Sequence, residues 1–132
     1  MRITNRTTYP THELRFLIRF AARGQSYPRL TIEVVPARQH ATGTAWYWEQ
    51  HIVIRLPPES AFPKQPWRRH RGGVMNHDWA DWREAAVALA AHELMHIELG
   101  SAYHRSHSQY AVEMICEATE HLVLKNYRQA LA

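Results

Sequence analysis

The residues best suited to chemistry lie in one stretch, DWREAAVALAAHELMHIELG, which runs from Asp81 to Gly100. His92 and His96 are one helical turn apart, and side chains four residues apart lie on the same face of a helix. Two imidazoles placed in this way are typical ligands of one tetrahedral Zn²⁺ ion. Glu93 lies between them, where a carboxylate can act as general base on a metal-bound water. The spacing therefore predicts the zinc site of a hydrolase, with a single ion as cofactor.

The stretch around these residues is typical of a helix that is buried on all sides. From Ala85 to Ala91 no side chain is polar, and apolar groups continue around every face of the helical wheel. Asp81 is suited to cap the start of this helix, and Gly100 is suited to end it. In a metal-free alternative, the two histidines and Glu93 are buried polar groups satisfied by hydrogen bonds alone. That alternative leaves several desolvated groups to satisfy, so we favour the metal site.

The chain before this stretch predicts one helix and a small sheet. The helix is predicted from Thr11 to Arg23, where apolar residues recur at helical spacing and a glycine follows. Alternation of apolar and polar residues predicts a half-buried strand from Leu30 to Val35. Two further strands, Gly43 to Trp48 and His51 to Leu56, are predicted to form a hairpin. We expect the aromatic residues at the end of the first of these to pack on cross-strand neighbours rather than line a groove.

Residues 57–77 are rich in proline and glycine, which excludes a long regular element and predicts a loop. This loop follows the predicted sheet and precedes the metal-binding helix, so it is placed where it could border a cleft. It could grip an anionic or extended substrate, but a solvated connection is the favoured interpretation. Trp67 lies near its tip, and its basic residues are Lys64, Arg68, Arg69, His70 and Arg71.

A last helix is predicted from about His107 to Ala130. Ser106 and Gln109 have the spacing of a capping box, which typically marks the start of a helix. A helix that folds back on the preceding one can present the carboxylate of Glu113 to the metal. Glu117 follows one turn later on the same face. Apolar residues beside this acidic stripe argue against a stripe that only faces solvent.

The composition indicates a single α+β domain that spans residues 1–132. No apolar run reaches the length that crosses a membrane, and the first residues are not typical of a signal peptide. The net charge of +4 at pH 7 is weak support for binding nucleic acid. The one cysteine, Cys116, excludes an internal disulfide and fits a reducing compartment. We therefore expect a soluble, cytoplasmic protein that does not bind membranes.

The motif HELMH, from His92 to His96, together with Glu113 and Glu117 resembles the gluzincin branch of the zincin metallopeptidases. The resemblance implies that both histidines and Glu113 bind zinc, and that Glu93 activates a water molecule. It also implies that Glu117 orients a ligating histidine through a hydrogen bond. Over roughly residues 30–125, the predicted organisation is similar to a minimal zincin-like domain, with an N-terminal helix, a small and mostly antiparallel sheet, a buried active-site helix and a C-terminal helix. The chain departs from the thermolysin type, which has aspartate at the position of Glu117 and asparagine before the ligating glutamate.

Two histidines compete with Glu113 as the third zinc ligand. The SprT-like family of DNA–protein crosslink proteases has a ligating histidine soon after the same motif, and His107 is similarly placed. In this alternative the basic loop fits a DNA-associated role, although Ser108 stands where that family has glycine. His104 is a further candidate ligand in the same connecting segment.

These assignments predict a zinc-dependent metallopeptidase that acts on a protein or peptide. Glu93 takes a proton from the metal-bound water and passes it to the leaving amine, while zinc polarises the peptide carbonyl. The substrate is expected to add as an extra strand along the edge supplied by Gly43 to Leu56, and Tyr103 or Tyr110 is a candidate oxyanion donor. Two alternatives remain open: a catalytically inactive, zinc-stabilised module that binds or regulates a partner, and a metal-free interaction protein.

Overall fold

The computed structural model describes residues 1–63 and 78–132 of the chain. These residues form an α+β fold, as the sequence predicts, with three α-helices and a four-stranded sheet. Within these two ranges, no helix has both the length and the apolar character needed to cross a lipid bilayer. The elements in chain order are β1 (Arg2–Asn5), α1 (Thr11–Ala22), β2 (Thr31–Pro36), β3 (Thr42–Trp46), β4 (His51–Leu56), a 3₁₀ turn (Glu59–Ala61), α2 (Trp82–Ser106) and α3 (Gln109–Leu131).

The sheet is mixed, so the expectation of a mostly antiparallel sheet was wrong. The strand order is β1-β2-β4-β3, in which β1 and β4 are each parallel to β2 and β3 is antiparallel to β4. The predicted hairpin of β3 and β4 is present. The difference arises at β1, a four-residue strand that sequence patterns did not predict, because α1 carries the chain back so that β2 runs parallel to it. Among the residues that the structure describes, strand β3 lies at an edge of the sheet and pairs only with β4.

Helix α1 and the central strands confirm the periodic patterns that predicted them. In α1 the apolar residues at helical spacing from Leu14 to Ala22 are buried. In β2 the buried side chains are Ile32 and Val34, and in β4 they include Ile52 and Ile54. These strand residues share one face of the sheet because their register pairs Ile32 with Ile52 and Val34 with Ile54. That face forms one wall of the core.

Helix α2 is central to the fold, with contacts to α1, α3, β3 and β4. Every residue from Ala85 to Leu94 is buried, as the uninterrupted apolar run predicts. Many of these residues are alanines, whose small side chains let the neighbouring elements approach closely. Asp81 caps the helix as predicted, because its carboxylate accepts a 3.0 Å hydrogen bond from the backbone N–H of Glu84.

Helix α2 is broken at Gly100. There φ is 74° and ψ is 175°, a backbone conformation that is essentially confined to glycine. Regular helix therefore stops at the glycine that the sequence singles out, but helical structure resumes after it and continues to Ser106. We call residues 82–99 the proximal segment of α2 and residues 101–106 its distal segment.

Helix α3 packs against α2 and begins at Gln109, slightly later than predicted. Its N-cap is Ser108, whose hydroxyl accepts a 3.1 Å hydrogen bond from the backbone N–H three residues later. The predicted capping box of Ser106 and Gln109 was wrong, because Ser106 still belongs to the distal segment. Its hydroxyl donates to the backbone carbonyl of Tyr103 instead.

The predicted loop of residues 57–77 lies mostly outside the described residues. Its basic cluster and Trp67 fall within residues 64–77, so a role in gripping a substrate or nucleic acid stays a prediction. The described part contains the short 3₁₀ turn. On the far side of this gap, Trp79 is buried in the core just before α2 begins.

Candidate metal centre

The proximal segment of α2 presents His92 and His96 towards α3. Their ring centroids are 5.3 Å apart, which fits side chains one helical turn apart. His92 is only 8% exposed, and a buried imidazole needs polar partners for its nitrogens. Each of the four ring nitrogens in the pair has such a partner. The two rings are therefore held in fixed orientations.

The carboxylate of Glu113 joins the two histidines. One of its oxygens lies 3.0 Å from Nε2 of His92, and the other lies 3.0 Å from Nε2 of His96. The helical position of Glu113, on the face of α3 that packs against α2, brings it there. The structure thus brings together the three residues that the sequence analysis selected as zinc ligands.

The outer nitrogens of the two rings have different partners. Nδ1 of His92 lies 2.8 Å from a carboxylate oxygen of Glu120, which is completely buried. The sequence analysis assigned the orienting role to Glu117, so the acid found on the ring is one turn further along α3. Glu117 is itself buried and lines the adjoining cavity. Nδ1 of His96 lies 2.9 Å from Nε2 of His104, which comes from the distal segment.

Glu93 lies beside this cluster and against the edge strand β3. Its Oε1 atom is 4.0 Å from Nε2 of His96, and the residue is 4% exposed. Gly43 on β3 permits this position, because a Cβ atom there would lie 2.8 Å from Cγ of Glu93 and 2.9 Å from its Oε2. Such distances are too short for real contacts, so the absence of a side chain at Gly43 makes room for the carboxylate.

The pKa values of His92, Glu113 and Glu93 are shifted by burial and by contacts within the cluster. Burial alone would lower the pKa of His92, but its contacts with Glu113 and Glu120 raise that pKa well above the ordinary value. Burial opposes ionisation of Glu113, yet hydrogen bonds with His92 and His96 hold its pKa well below the usual range. Burial raises the pKa of Glu93, and the nearby histidines offset this only in part. Glu113 is therefore more readily ionised than Glu93.

Sequence reasoning missed one potential metal ligand, Cys116. Its sulfur and nitrogen atoms of His92 and His96 lie within 4.8 Å of one another. Cys116 is fully buried as a free thiol, and burial raises its pKa. The available signal was its spacing, because Cys116 is three residues after Glu113 and shares a helical face with it.

Three other candidate residues lie away from the cluster. His107 is exposed, and its ring contacts the backbone carbonyl of Tyr103 and the hydroxyl of Ser106. Tyr103 stacks on the His107 ring at a centroid distance of 3.7 Å. Tyr110 is 57% exposed. The structure therefore does not bring His107 to the metal ligands, or Tyr103 and Tyr110 to the cavity that adjoins them. His104 contacts a candidate ligand rather than the point where the ligands meet.

A cavity of about 510 Å³ opens beside the cluster, between strand β3 and helices α2 and α3. Tyr47, in the turn between β3 and β4, both lines this cavity and stacks on His104. Among the described lining residues, Arg55 is the only lysine or arginine. The lining residues are Ala41, Thr42, Gly43, Thr44, Ala45, Tyr47, Arg55, Trp79, Leu89, His92, Glu93, His96, His104, Gln109, Val112, Glu113 and Glu117.

The chemistry of these donors fits a zinc ion. Two imidazole nitrogens and a carboxylate are a common ligand set of catalytic zinc sites, in which a fourth position stays open. Ligating histidines usually have their other nitrogen held by a hydrogen bond, and both histidines here meet that condition. His92, His96 and Glu113 are the residues that could hold the ion, with Cys116 as a possible addition.

Comparisons with known proteins assign no family. The chain matches no protein-family model, no curated protein sequence and no solved structure. The interpretation of the metal centre therefore depends on its own geometry and chemistry.

Proposed function

We propose that this protein is a zinc-dependent metallopeptidase. The observation that carries the proposal is the convergence of His92, His96 and Glu113, with each Nε2 atom 3.0 Å from a carboxylate oxygen. Glu93 adds a buried carboxyl group at the wall of a cavity large enough for part of a peptide. A zinc-type donor set beside a candidate base is what metal-assisted hydrolysis of an amide requires. The mixed sheet with its antiparallel edge strand is consistent with a minimal zincin-like domain of the gluzincin type.

In this proposal, His92, His96 and Glu113 hold one zinc ion. When bound, zinc lowers the pKa of a coordinated water towards neutrality and polarises a substrate carbonyl. Each histidine must offer an unprotonated Nε2 atom to the metal. Glu120 supports His92 in this role, because a carboxylate on Nδ1 keeps the ring proton on that nitrogen.

Glu93 is the proposed general base. It accepts a proton from water at its carboxylate and then donates that proton to the nitrogen of the leaving amine. Burial raises the pKa of Glu93 towards neutral pH, and this suits a group that must both take and release a proton. The contact with Gly43 holds this carboxylate next to the edge strand, where a substrate backbone would lie.

The proposed substrate is an extended protein or peptide segment that adds to the sheet along β3, the edge strand of the described residues. Within residues 1–63 and 78–132, β3 pairs with β4 on one side only, and residues 41–45 line the cavity. Backbone hydrogen bonds to such an edge bind a peptide with little dependence on its sequence. A peptide that pairs with β3 at Gly43 would lie near Glu93, because Gly43 is in contact with that side chain. We also propose a cytoplasmic location, which fits the free thiol of Cys116.

A second candidate function is a zinc-stabilised module without catalytic activity. It is favoured by one observation, the closeness of Cys116 to His92 and His96. If the thiolate joined the two histidines and Glu113 as a fourth ligand, the coordination shell would be closed and structural in type. The SprT-like alternative lacks comparable support, because its expected ligand His107 contacts Tyr103 instead.

The experiment that tests the proposal combines zinc analysis with peptide cleavage. Purified wild-type protein is expected to bind one zinc ion and to cleave members of a peptide library, with activity lost on adding a chelator. Glu93→Gln should retain zinc and lose about 10²- to 10⁴-fold in rate, since it removes the general base. Glu113→Ala should lose zinc.

The variant Cys116→Ser separates the two candidate functions. An active peptidase should keep both its zinc and its activity after this change, because serine replaces a sulfur that is not a ligand. A closed structural site should lose zinc in the variant, and the wild-type protein should cleave no peptide. Wild-type protein that binds no zinc contradicts both candidates.

A further inference from the structure

The two histidines of the metal centre are supported by chemically different groups. A buried carboxylate contacts the outer nitrogen of His92, whereas another imidazole contacts that of His96. That imidazole belongs to His104, eight residues later, beyond the break at Gly100. An unbroken helix does not place residues eight apart within hydrogen-bond distance, because they are more than two turns apart along its axis. The contact therefore depends on the break.

The direction of the hydrogen bonds follows from the chain of partners. Nδ1 of His104 lies 2.7 Å from the backbone carbonyl oxygen of Gly100. A carbonyl oxygen only accepts, so Nδ1 of His104 carries the proton and donates it. In the neutral ring, Nε2 of His104 is then an acceptor, and it accepts the N–H at Nδ1 of His96. Because His104 engages Nδ1 of His96, Nε2, which lies 3.0 Å from Glu113, is the nitrogen of His96 left to offer a lone pair to a metal.

We infer that His104 is a positioning residue that holds His96 in the form able to bind a metal. This inference rests on the proposed zinc function and adds the residue that prepares one of its ligands. His104 is not itself a ligand in this arrangement, because both of its ring nitrogens are already engaged. The backbone carbonyl of Gly100 can only accept a hydrogen bond, and this determines the direction of both hydrogen bonds of the His104 ring.

Two further features hold the His104 ring in place. Tyr47 stacks on it with a centroid distance of 3.7 Å and an interplanar angle of 15°. The positive φ of Gly100 gives the chain a conformation that an alanine would strain. The ring is thus fixed by two hydrogen bonds and one stacking contact, which is the kind of support that orients a metal ligand.

The test measures zinc affinity by competition with a chelating dye, in wild-type protein and in His104→Phe. Phenylalanine retains a flat ring for Tyr47 but removes both hydrogen bonds. We expect zinc to dissociate about 10- to 100-fold more readily, which is the usual effect of losing such a support. His107→Phe is the matched control, because His107 lies just after the same segment but contacts no metal ligand. Its affinity should equal that of the wild type.

Two additional variants distinguish positioning from a general loss of structure. His104→Gln restores an acceptor near the position of Nε2 and should recover part of the lost affinity. Gly100→Ala should weaken zinc binding in the same direction, and combining it with His104→Phe should add little, because both changes break one contact. Full additivity would contradict the coupling.

Nitrogen-15 NMR of the histidine rings in zinc-loaded wild-type protein gives a readout that does not depend on any variant folding. The expected pattern has the His96 proton on Nδ1 and the metal on Nε2. The reverse pattern would overturn the inference, as would wild-type affinity in a folded His104→Phe protein, and both outcomes leave the zinc proposal intact. Wild-type protein that binds no zinc would instead remove the proposed function, and this inference with it.

Discussion

The proximal and distal segments of helix α2 share a backbone type but differ in their surroundings. Residues 85–94 of the proximal segment are all buried, whereas Ala102 and Arg105 of the distal segment are exposed and His104 is half-buried. Each segment contributes to the metal centre. The proximal segment supplies both candidate ligands and the candidate base, and the distal segment supplies one supporting ring.

This difference shows how packing and chemistry divide between the two segments. In the proximal segment, polar side chains such as that of His92 are buried in the core. Their hydrogen-bond partners are therefore needed for stability as well as for function. In the distal segment only His104 is tied to the centre, and the link passes through the conformation of Gly100. We therefore expect proximal substitutions to change folding, and distal substitutions to change the metal centre with little effect on folding.

The largest contrast is expected between Leu94→Ala and Tyr103→Ala. Leu94 is 1% exposed, and removing its side chain should lower the free energy of unfolding by about 2–5 kcal/mol through the cavity that remains. Tyr103 stacks on the exposed His107, so its loss should lower that free energy by less than about 1 kcal/mol. Urea unfolding of both zinc-free variants measures the two values. Equal losses would contradict the division between the segments.

A second large effect is expected for Gly43→Ala, which disturbs the proximal segment from the edge strand. The added Cβ atom would lie 2.8 Å from Cγ of Glu93, so the carboxylate must move. A displacement of this kind should lower kcat/KM by about 100-fold while zinc content stays unchanged. Glu33→Ala is the control, because Glu33 lies on the opposite face of the same sheet from the buried Ile32 and Val34 and is not one of the residues that line the cavity. A fully active Gly43→Ala variant would show that the position of Glu93 is not critical.

Much of the fold was predictable because it depends on local patterns. The apolar spacing in α1 and the alternation in β2 each show which side of one element faces the core. The hairpin of β3 and β4 joins two strands that are adjacent in sequence. The unbroken apolar run in α2 indicated burial on all sides. Strand β1 was missed because four residues carry too little periodicity, and the parallel pairing it makes is a long-range property of the sheet.

The candidate site was predictable in part for a related reason. The spacing of His92 and His96 is fixed within one helix, whereas their partners depend on how α3 packs against α2. Glu113, Glu117 and Glu120 lie on neighbouring positions of one helical face, and only the packed arrangement selects Glu120 for Nδ1 of His92. The contact of His104 with His96 was not predictable either. A glycine in the sequence indicates where a helix ends, but not the direction that the chain takes after it.

A smaller effect concerns the pH dependence that His92 gives to folding and to zinc binding. Its contacts with Glu113 and Glu120 raise the pKa of His92 well above the ordinary value, which favours the protonated ring in the zinc-free protein. The stability from this proton is fully present below about pH 6.5 and is lost as the pH rises through the raised pKa. Zinc must displace the proton, so apparent zinc affinity should rise about tenfold per pH unit until that pKa is passed. Calorimetry in buffers of different ionisation enthalpy counts the released protons, and release of none at neutral pH would contradict this account.

The smallest effect is expected at the start of the proximal segment. The Asp81 carboxylate accepts a hydrogen bond from the backbone N–H of Glu84, so Asp81→Ala should lower the free energy of unfolding by about 1 kcal/mol. Asp81→Ser keeps a capping oxygen and serves as the control, with a smaller loss. Because the cap is separated from His92 by a rigid, buried run of helix, zinc affinity should not change in either variant. A zinc affinity that fell together with stability would mean that the proximal segment does not behave as a preformed support for the metal centre, and that its folding and metal binding are one process.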